Sequence, residues 1–396
     1  MTAPLHPLDV PADRAWLRRF SKLVCLATLL LIFFGGQVKS HDAGLSVPDW
    51  PLTYGQNPIT YPISQWTGGI FHEHFHRLFA GTVAALTVVL AVWLTIAERR
   101  RWMKVLGWLA VLSVLLQAVL GGLTVWYNLP VAVSSSHAIL AQTFFLITCI
   151  IAYGLSREYK RRGAAVTFAL GAAIDLDEDD DQGAAIGGDE KGRVGYIDMP
   201  PVEAVLTPGI RVFNRTVLLI ALIYVQLFLG ALMRHTEAGL AIPDFPATAG
   251  RILPVFNQDT LQWVNDWRFE HAYYRGVDLP PVTITQMLIH FAHRLGALAV
   301  TAAVIWVFLT ARSCRQGGPQ VYKTALLLLG VVLLQFTLGA FTVWTVKLPL
   351  LTSLHVMTGA ALLGVAVILA LRALPLEGEL LHEEGIAFAS LDPAST

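Results

Sequence analysis

Long apolar stretches separated by short polar segments dominate the chain. A transmembrane α-helix needs about 20 mostly apolar residues to cross roughly 30 Å of hydrocarbon, and eight stretches come close to this length. They lie near residues 21–38, 74–97, 103–126, 134–155, 212–234, 284–311, 322–346 and 350–372. The pattern predicts an all-α integral membrane protein with eight transmembrane helices.

Composition supports this interpretation and excludes other classes of protein. Of the 396 residues, 55% are hydrophobic and 14% are charged, whereas a soluble domain carries about 25% charged residues. Lys+Arg and Asp+Glu each number 28, so no net charge favours a nucleic-acid partner. Cys25, Cys149 and Cys314 are far apart in the sequence, and their spacing predicts neither a zinc site nor a disulfide.

The basic residues predict the orientation in the membrane. Placing both termini and the segments 98–104, 156–215 and 312–323 on one side collects 20 of the 28 Lys+Arg, and the positive-inside rule makes that side the cytoplasm. We expect the first span to be a retained anchor. The outer loops 39–72 and 235–283 are long enough to act as functional covers. The acidic, Gly/Ala-rich stretch 163–207 is typical of a flexible cytoplasmic linker.

An internal repeat divides the chain into two halves. Residues 44–51, 76–78 and 115–137 contain motifs that reappear after 195, 217 and 218 residues, respectively. The repeat predicts two pseudo-symmetric, parallel four-helix bundles. The predicted divisions are an N-terminal half over 1–157, a linker over 158–210, a C-terminal half over 211–373 and a cytoplasmic tail over 374–396. Because four spans return the chain to the same side, the symmetry axis should lie along the membrane normal.

Each half places one histidine near the outer end of its second helix and one near that of its fourth. These residues are His76 and His137 in the first half, and His293 and His355 in the second. Two imidazoles on facing helices of a bundle are a common way to hold a heme iron, whereas zinc needs more ligands in one cluster. We therefore expect a heme between His76 and His137 and another between His293 and His355.

An arginine directly follows the first histidine of each pair. Arg77 and Arg294 are costly at membrane depth, and two interpretations remain open. Each guanidinium could reach outward to lipid headgroups, or it could pair with a heme propionate. Gly121 and Gly339 repeat as well, and they are typical of close helix packing.

The halves differ at one position that bears on chemistry. Glu73 lies one helical turn before His76, whereas the second half has His290 at the equivalent place. By itself Glu73 could be an acidic residue favoured at a helix N-terminus. Beside a heme it becomes a candidate for catalysis or proton handling.

Three functions fit a duplicated membrane protein with paired histidines. A di-heme b-type cytochrome that carries electrons or oxidises quinol is one, but parallel halves put both sites near the outer surface, which suits transfer across the membrane poorly. A transporter is another, but it would have polar or broken spans near the bilayer centre. An enzyme with one porphyrin as substrate and one as cofactor suits two side-by-side sites.

Four features of the chain together resemble the heme A synthase family. They are the duplicated halves, the paired histidines, the Gly-Leu-Ser-Val-Pro-Asp-Trp-Pro loop at 44–51 and the Glu-His-Phe-His-Arg start of the second helix at 73–77. The likeness covers about residues 15–160 and 210–372. The family oxidises a methyl group of heme O to a formyl group by successive hydroxylations, which gives heme A for aa3-type terminal oxidases. The resemblance therefore implies an oxidoreductase in the bacterial inner membrane, with both termini cytoplasmic and the heme sites toward the outer side.

The resemblance also implies roles for individual residues. His76 and His137 flank the substrate heme O, with Arg77 beside them, and Glu73 is the acidic residue that the oxidation requires. His293 and His355 are the axial ligands of a b-type heme, with Arg294 beside them. The implied partners are membrane lipid, a heme O synthase and an electron donor that the sequence does not identify; a homo-oligomer stays open. Many relatives carry a cysteine pair in an outer loop, which this chain lacks.

Overall fold

The computed structural model describes residues 14–162, 202–252, 255–275, 279–316 and 318–374. Within these residues, nine α-helices have 18 residues or more: α1 (Ala15–Ser40), α2 (Gly68–Ala97), α3 (Arg101–Trp126), α4 (Val131–Gly154), α5 (Val202–His235), α6 (Gln258–Arg275), α7 (Ile284–Ala311), α8 (Pro319–Trp344) and α9 (Pro349–Ala373). Most of the predicted linker and all but the first residue of the predicted tail lie outside the described residues.

The eight predicted spans are confirmed as helices. All of the helices except α6 are long and apolar enough to cross a membrane, and the described residues contain no β-strand. Helix α1 begins at Ala15, six residues before the predicted start, because its first turns are helical but too basic for a hydropathy window to include. Local signals set other starts: Thr283 and Gln286 form a capping box at α7, and α9 begins with a proline.

Helix α6 was not predicted from the sequence. It occupies part of the outer loop 235–283, and it is polar, so it gives no hydropathy signal. Asn257 accepts a hydrogen bond from the backbone N–H of Thr260 at 2.9 Å, as an N-cap side chain does. The guanidinium of Arg268 donates to the carbonyls of Leu240 and Pro280, which fastens α6 to the rest of the loop. The cover over the second half is therefore partly helical.

The membrane-length helices contact one another in two rings. In the first ring α1 packs on α2, α2 on α3, α3 on α4 and α4 on α1; in the second, α5 packs on α7, α7 on α8, α8 on α9 and α9 on α5. We call α1–α4 the first bundle, and α5 with α7–α9 the second. Each ring encloses its own apolar core, with Leu90 and Met103 in the first and Leu328 and Leu363 in the second. The symmetry axis and the domain boundaries stay predictions.

The two bundles meet through α1 and α4 on one side and α5 and α9 on the other. Ile32, Phe145 and Ala360 form a buried apolar cluster across this interface. At the end of the interface that the charge distribution predicts to be cytoplasmic, Arg372 pairs with Glu158 at 2.5 Å. Arg162 also donates to the carbonyls of Leu371 and Leu374. Apolar packing and charged contacts thus both hold the bundles together.

The interface between α1 and α4 also brings two cysteines into contact. Cys25 and Cys149 are 124 residues apart in the sequence, yet their Sγ atoms are 3.5 Å apart, and both thiols are free. The sequence spacing predicted neither a disulfide nor a zinc site, and it gave no sign that these two thiols are in contact. Spacing along the chain could not reveal it, because the contact depends on how α1 and α4 pack.

Mild oxidation of the purified protein with copper–phenanthroline should join Cys25 to Cys149. The Sγ atoms need to approach by only about 1.5 Å to reach the disulfide bond length of about 2.05 Å. Titration of the unfolded protein with a thiol reagent should then find Cys314 alone still free. Cys149→Ser should keep Cys25 reduced under the same treatment. If all thiols survive oxidation in the unsubstituted protein, the packing of α1 on α4 described here is incorrect.

Candidate functional site

A cavity of about 1390 Å³ extends across both bundles. Pockets for a single small ligand measure about 300–1,000 Å³, so this cavity has room for more than one such molecule. Most of its wall is apolar, and all of the candidate site residues predicted from the sequence line it: Glu73, His76, Arg77, His137, His293, Arg294 and His355. The structure thus brings both predicted sites to one continuous space.

In the second bundle His293 on α7 and His355 on α9 face each other. Their ring centroids are 6.4 Å apart, and the ring planes are inclined by 71°. This centroid distance suits two imidazoles that bind one metal ion from opposite sides. It is similar to the sum of two metal–nitrogen bonds of about 2 Å each and the distance from each coordinating nitrogen to its ring centre. The Nδ1 atom of His355 lies 3.2 Å from the carbonyl oxygen of Gln335. A carbonyl only accepts, so Nδ1 donates and Nε2 carries the lone pair that a metal ligand needs. That lone pair faces the side-chain amide nitrogen of Gln335 at 3.4 Å, a contact that a metal would replace.

In the first bundle His76 on α2 and His137 on α4 line the same cavity. The Nδ1 atoms of both rings are buried and have no hydrogen-bond partner among the described residues. A buried polar atom without a partner costs about 1–3 kcal/mol. A polar group or a metal ion bound in the cavity would relieve this cost by pairing with the ring nitrogens. The iron of a heme is one such metal ion. The residues of both pairs therefore fit a heme.

A glycine on a neighbouring helix packs against each of the four imidazoles. A Cβ built on Gly35, Gly230 or Gly339 would lie 3.1 Å from the Cε1 atom of the nearest histidine, and one on Gly121 would lie 3.5 Å away. Larger side chains at the first three positions would push the imidazole aside. Gly121 and Gly339 were predicted to serve close helix packing, and the structure shows that the groups they approach are imidazoles of the candidate site.

Arg77 and Glu73 fasten the outer loop of the first half onto α2. The guanidinium of Arg77 donates to the carbonyls of Val47, Asp49 and Leu52, and to Glu73 Oε1 at 2.5 Å. The other carboxylate oxygen of Glu73 accepts from the backbone N–H of Val47 at 2.8 Å. Glu73 is buried, with 4% of its surface exposed. Its carboxylate is thus held in place at the cavity wall.

Asp49 organises the loop itself. Its carboxylate accepts from the backbone N–H groups of Tyr54 and Gly55, both at 2.8 Å. Removal from water opposes its charge, but these two hydrogen bonds outweigh that effect and hold the pKa of Asp49 below its ordinary value. The loop carbonyls that Arg77 binds are therefore presented by a turn that Asp49 stabilises.

Arg294 and His290 make equivalent contacts in the second half. Arg294 donates to the carbonyls of Ile242, Asp244 and Ala247, and its Nε lies 3.3 Å from His290 Nε2. The Nδ1 atom of His290 accepts from the backbone N–H of Ile242 at 3.1 Å. His290 therefore takes the structural place of Glu73 with a neutral ring instead of a carboxylate. We call each of these pairs a loop latch: Glu73 with Arg77, and His290 with Arg294.

The loop latches give both arginines partners that sequence analysis did not anticipate. The partners predicted for the two guanidinium groups were lipid headgroups or heme propionates. In the structure most of the N–H groups of Arg77 and Arg294 donate to loop carbonyls instead. A propionate contact stays a prediction for both residues. The repeated loop motif was the sequence signal for these contacts. A backbone conformation that occurs in both halves needs a hydrogen-bond donor to hold its carbonyls.

Comparison with known proteins finds similarity to one family and to several of its members. Residues 201–367 match the model of a family described as cytochrome oxidase assembly protein. Heme A synthase of Rickettsia bellii (strain OSU 85-389) is 23% identical over 376 residues, which are 89% of this chain and 96% of the relative. The chain is thus similar to a heme A synthase over most of its length.

Two further heme A synthases are also similar to this chain. The relative from Halalkalibacterium halodurans is 26% identical over 246 residues, or 61% of this chain and 67% of its own. The relative from Brucella anthropi (strain ATCC 49188) is 31% identical over 166 residues, or 39% of this chain and 43% of its own. The family model includes His293 and His355, and the match to the Rickettsia heme A synthase extends over both bundles.

Sequence analysis missed some residues of the site. Gly35 and Gly230 are separated by 195 residues, the same interval as the loop motifs, so the repeat extends back into the first helix of each half. The same interval relates Lys39 to Arg234, and both of these residues line the cavity. Extending the repeat comparison beyond the loop motif would have found all four.

Proposed function

We propose that the protein is a heme A synthase that oxidises a methyl group of heme O to a formyl group. The observation that carries this proposal is the asymmetry of the two latches within one cavity. Only the first bundle combines a carboxylate, Glu73, with a histidine pair, whereas the second has the neutral His290. This difference favours a reacting porphyrin in the first bundle and a porphyrin that does not react in the second.

In this proposal His76 and His137 bind heme O and fix its position beside Glu73. Arg77 and the backbone N–H of Val47 hold the two oxygens of Glu73. A carboxylate held at both oxygens suits a stationary negative charge, which stabilises positive charge developing at the methyl carbon. The apolar cavity wall excludes water and strengthens that interaction.

His293 and His355 hold a b-type heme, which supplies electron transfer when it is bound. The carbonyl of Gln335 fixes the tautomer and orientation of His355. Nothing equivalent to the Glu73 carboxylate stands beside this pair, because His290 occupies that position. The second bundle is therefore suited to keep its porphyrin chemically unchanged.

The protein is placed, in this proposal, in the bacterial inner membrane with both termini in the cytoplasm and the cavity toward the outer side. The distribution of the 28 basic residues supports this orientation. The substrate comes from a heme O synthase, since heme O is too apolar to cross water freely. The remaining partner in this proposal is a separate electron donor.

Expression of the protein in bacteria that make heme O but no heme A tests the proposal. Mass spectrometry of the extracted hemes should detect heme A only when the protein is present. An inactive control is the double variant His76→Ala/His137→Ala, in which heme O should persist. Purified protein that contains two b-type hemes and yields no formyl product would instead identify an electron carrier.

A further inference from the structure

Arg234 places a positive charge in the wall of the cavity near the outer end of α5. It is half-buried, and it lines the cavity between the two bundles. Gly230, which packs against His293, lies one helical turn before Arg234 on the same face of α5. The guanidinium therefore lies about one turn further out than the imidazole of His293.

Arg234 uses only one of its nitrogen atoms in hydrogen bonds within the described residues. Its Nη2 atom donates to the carbonyl of Gly36 at 2.6 Å and to Ser40 Oγ at 2.8 Å. Ser40 Oγ is in turn 3.2 Å from Ser353 Oγ, two residues before His355. These contacts fix the guanidinium at the meeting point of α1, α5 and α9. Its Nη1 and Nε atoms keep their N–H groups for a ligand.

The acidic residues nearest to Arg234 are engaged by other cations. Lys39 and Lys347 both donate to Glu237. Burial opposes the charge of Glu237, but the hydrogen bond and charge of Lys39 outweigh it and lower the pKa of Glu237 below its ordinary value. Lys39 also pairs with Asp42 at 3.3 Å. Among the described residues Arg234 has no carboxylate partner within 4 Å.

An arginine with neutral partners in an apolar wall is costly, because its charge has lost water without gaining a counter-ion. Arg77 avoids this cost through Glu73. Arg294 offsets it with three loop carbonyls. Arg234 has only the two acceptors at Nη2, so an anion supplied by a ligand would stabilise it most.

We propose that Arg234 binds a carboxylate group of the ligand held by His293 and His355, which under the proposed function is a propionate of the b-type heme. The inference rests on that function for the identity of the ligand. A guanidinium forms charge-assisted hydrogen bonds to carboxylates, and this one is aimed into the cavity beside the second histidine pair. It reassigns the propionate contact from Arg294, whose N–H groups hold the loop, to Arg234.

Porphyrin titrations of the full-length protein freed of heme test this assignment. The double variant His76→Ala/His137→Ala restricts binding to the second pair, and iron protoporphyrin IX is compared with its dimethyl ester, which lacks the carboxylate charges. The diacid should bind more tightly than the ester. Adding Arg234→Gln should weaken the diacid by about 10- to 100-fold, because a charged hydrogen bond contributes about 1.5–3 kcal/mol, and leave the ester unchanged. Arg234→Lys should restore part of the preference.

Arg294→Gln is the matched control, since it removes an arginine of the same bundle that holds the loop. It should leave the ratio of diacid to ester affinity unchanged. Equal weakening of both porphyrins by Arg234→Gln, or weakening of neither, would overturn the assignment. A carboxylate preference that depends on Arg234 only when His76 and His137 are both present and His293 is replaced would assign Arg234 to the first pair instead. Failure of the unsubstituted protein to bind either porphyrin would refute the proposed function itself.

Discussion

Replacing Glu73 by histidine should abolish formyl production while leaving the outer loop fastened. The second half shows why the loop should survive, because His290 accepts from the backbone N–H of Ile242 as Glu73 accepts from that of Val47. Loop carbonyls hold Arg294 as they hold Arg77. The variant therefore exchanges the carboxylate for a neutral acceptor that this fold already uses. Removing one group that stabilises developing charge typically slows a reaction by about 10²–10³-fold, so heme O or a hydroxylated intermediate should accumulate.

Mass spectrometry of hemes extracted from cells that express the variant measures this result. Glu73→Gln is a second test, since it keeps the shape and an acceptor oxygen but removes the charge. Glu73→Asp is the matched control that keeps the charge, and it should retain more activity than either. Undiminished heme A in the histidine and glutamine variants would show that Glu73 serves only to hold the loop.

Loss of either His293 or His355 should remove the low-spin absorption spectrum of a heme held by two imidazoles. The two rings face each other at a centroid distance of 6.4 Å, so neither can be replaced by another side chain without moving a helix. Alanine at either position should also lower the heme b content of the purified protein. Absorption spectra of the reduced protein and heme extraction measure the two effects.

His271→Ala serves as the control for these variants. His271 lies on α6 and interacts with Trp267, where its Nδ1 lies 2.9 Å from the backbone carbonyl, and it does not line the cavity. This variant should keep the full low-spin spectrum. A spectrum that persists in both the His293 and His355 variants would show that the iron ligands lie elsewhere.

Much of the fold could be predicted from the sequence because the membrane imposes a simple rule. A helix facing lipid must be apolar over a fixed length, and α3, α7 and α9 follow that rule to within two residues of the predicted bounds. Helix α6 is polar and is not among the candidate membrane spans, so this requirement for an apolar sequence does not apply to it. It is held by Arg268 and by its cap, and such contacts with the surrounding loop leave no periodic pattern in its own sequence.

The candidate site was predictable in its residues but less so in its contacts. The repeat identified His76, His137, His293 and His355, and all of them line one cavity. It could not show that the cavity is continuous, since this depends on how the two bundles pack. Nor could it show which acceptors Arg77 uses, because backbone carbonyls carry no signature in a sequence.

The two bundles are held together by direct contacts between their helices. Arg372 with Glu158, Arg162 with the end of α9, and Arg234 with α1 join the bundles at both ends of the membrane, and Ile32 and Phe145 fill the space between. Adhesion therefore resides in the folded surfaces. The described helices of the two bundles thus contact one another through their own side chains, as the subunits of a heterodimer do.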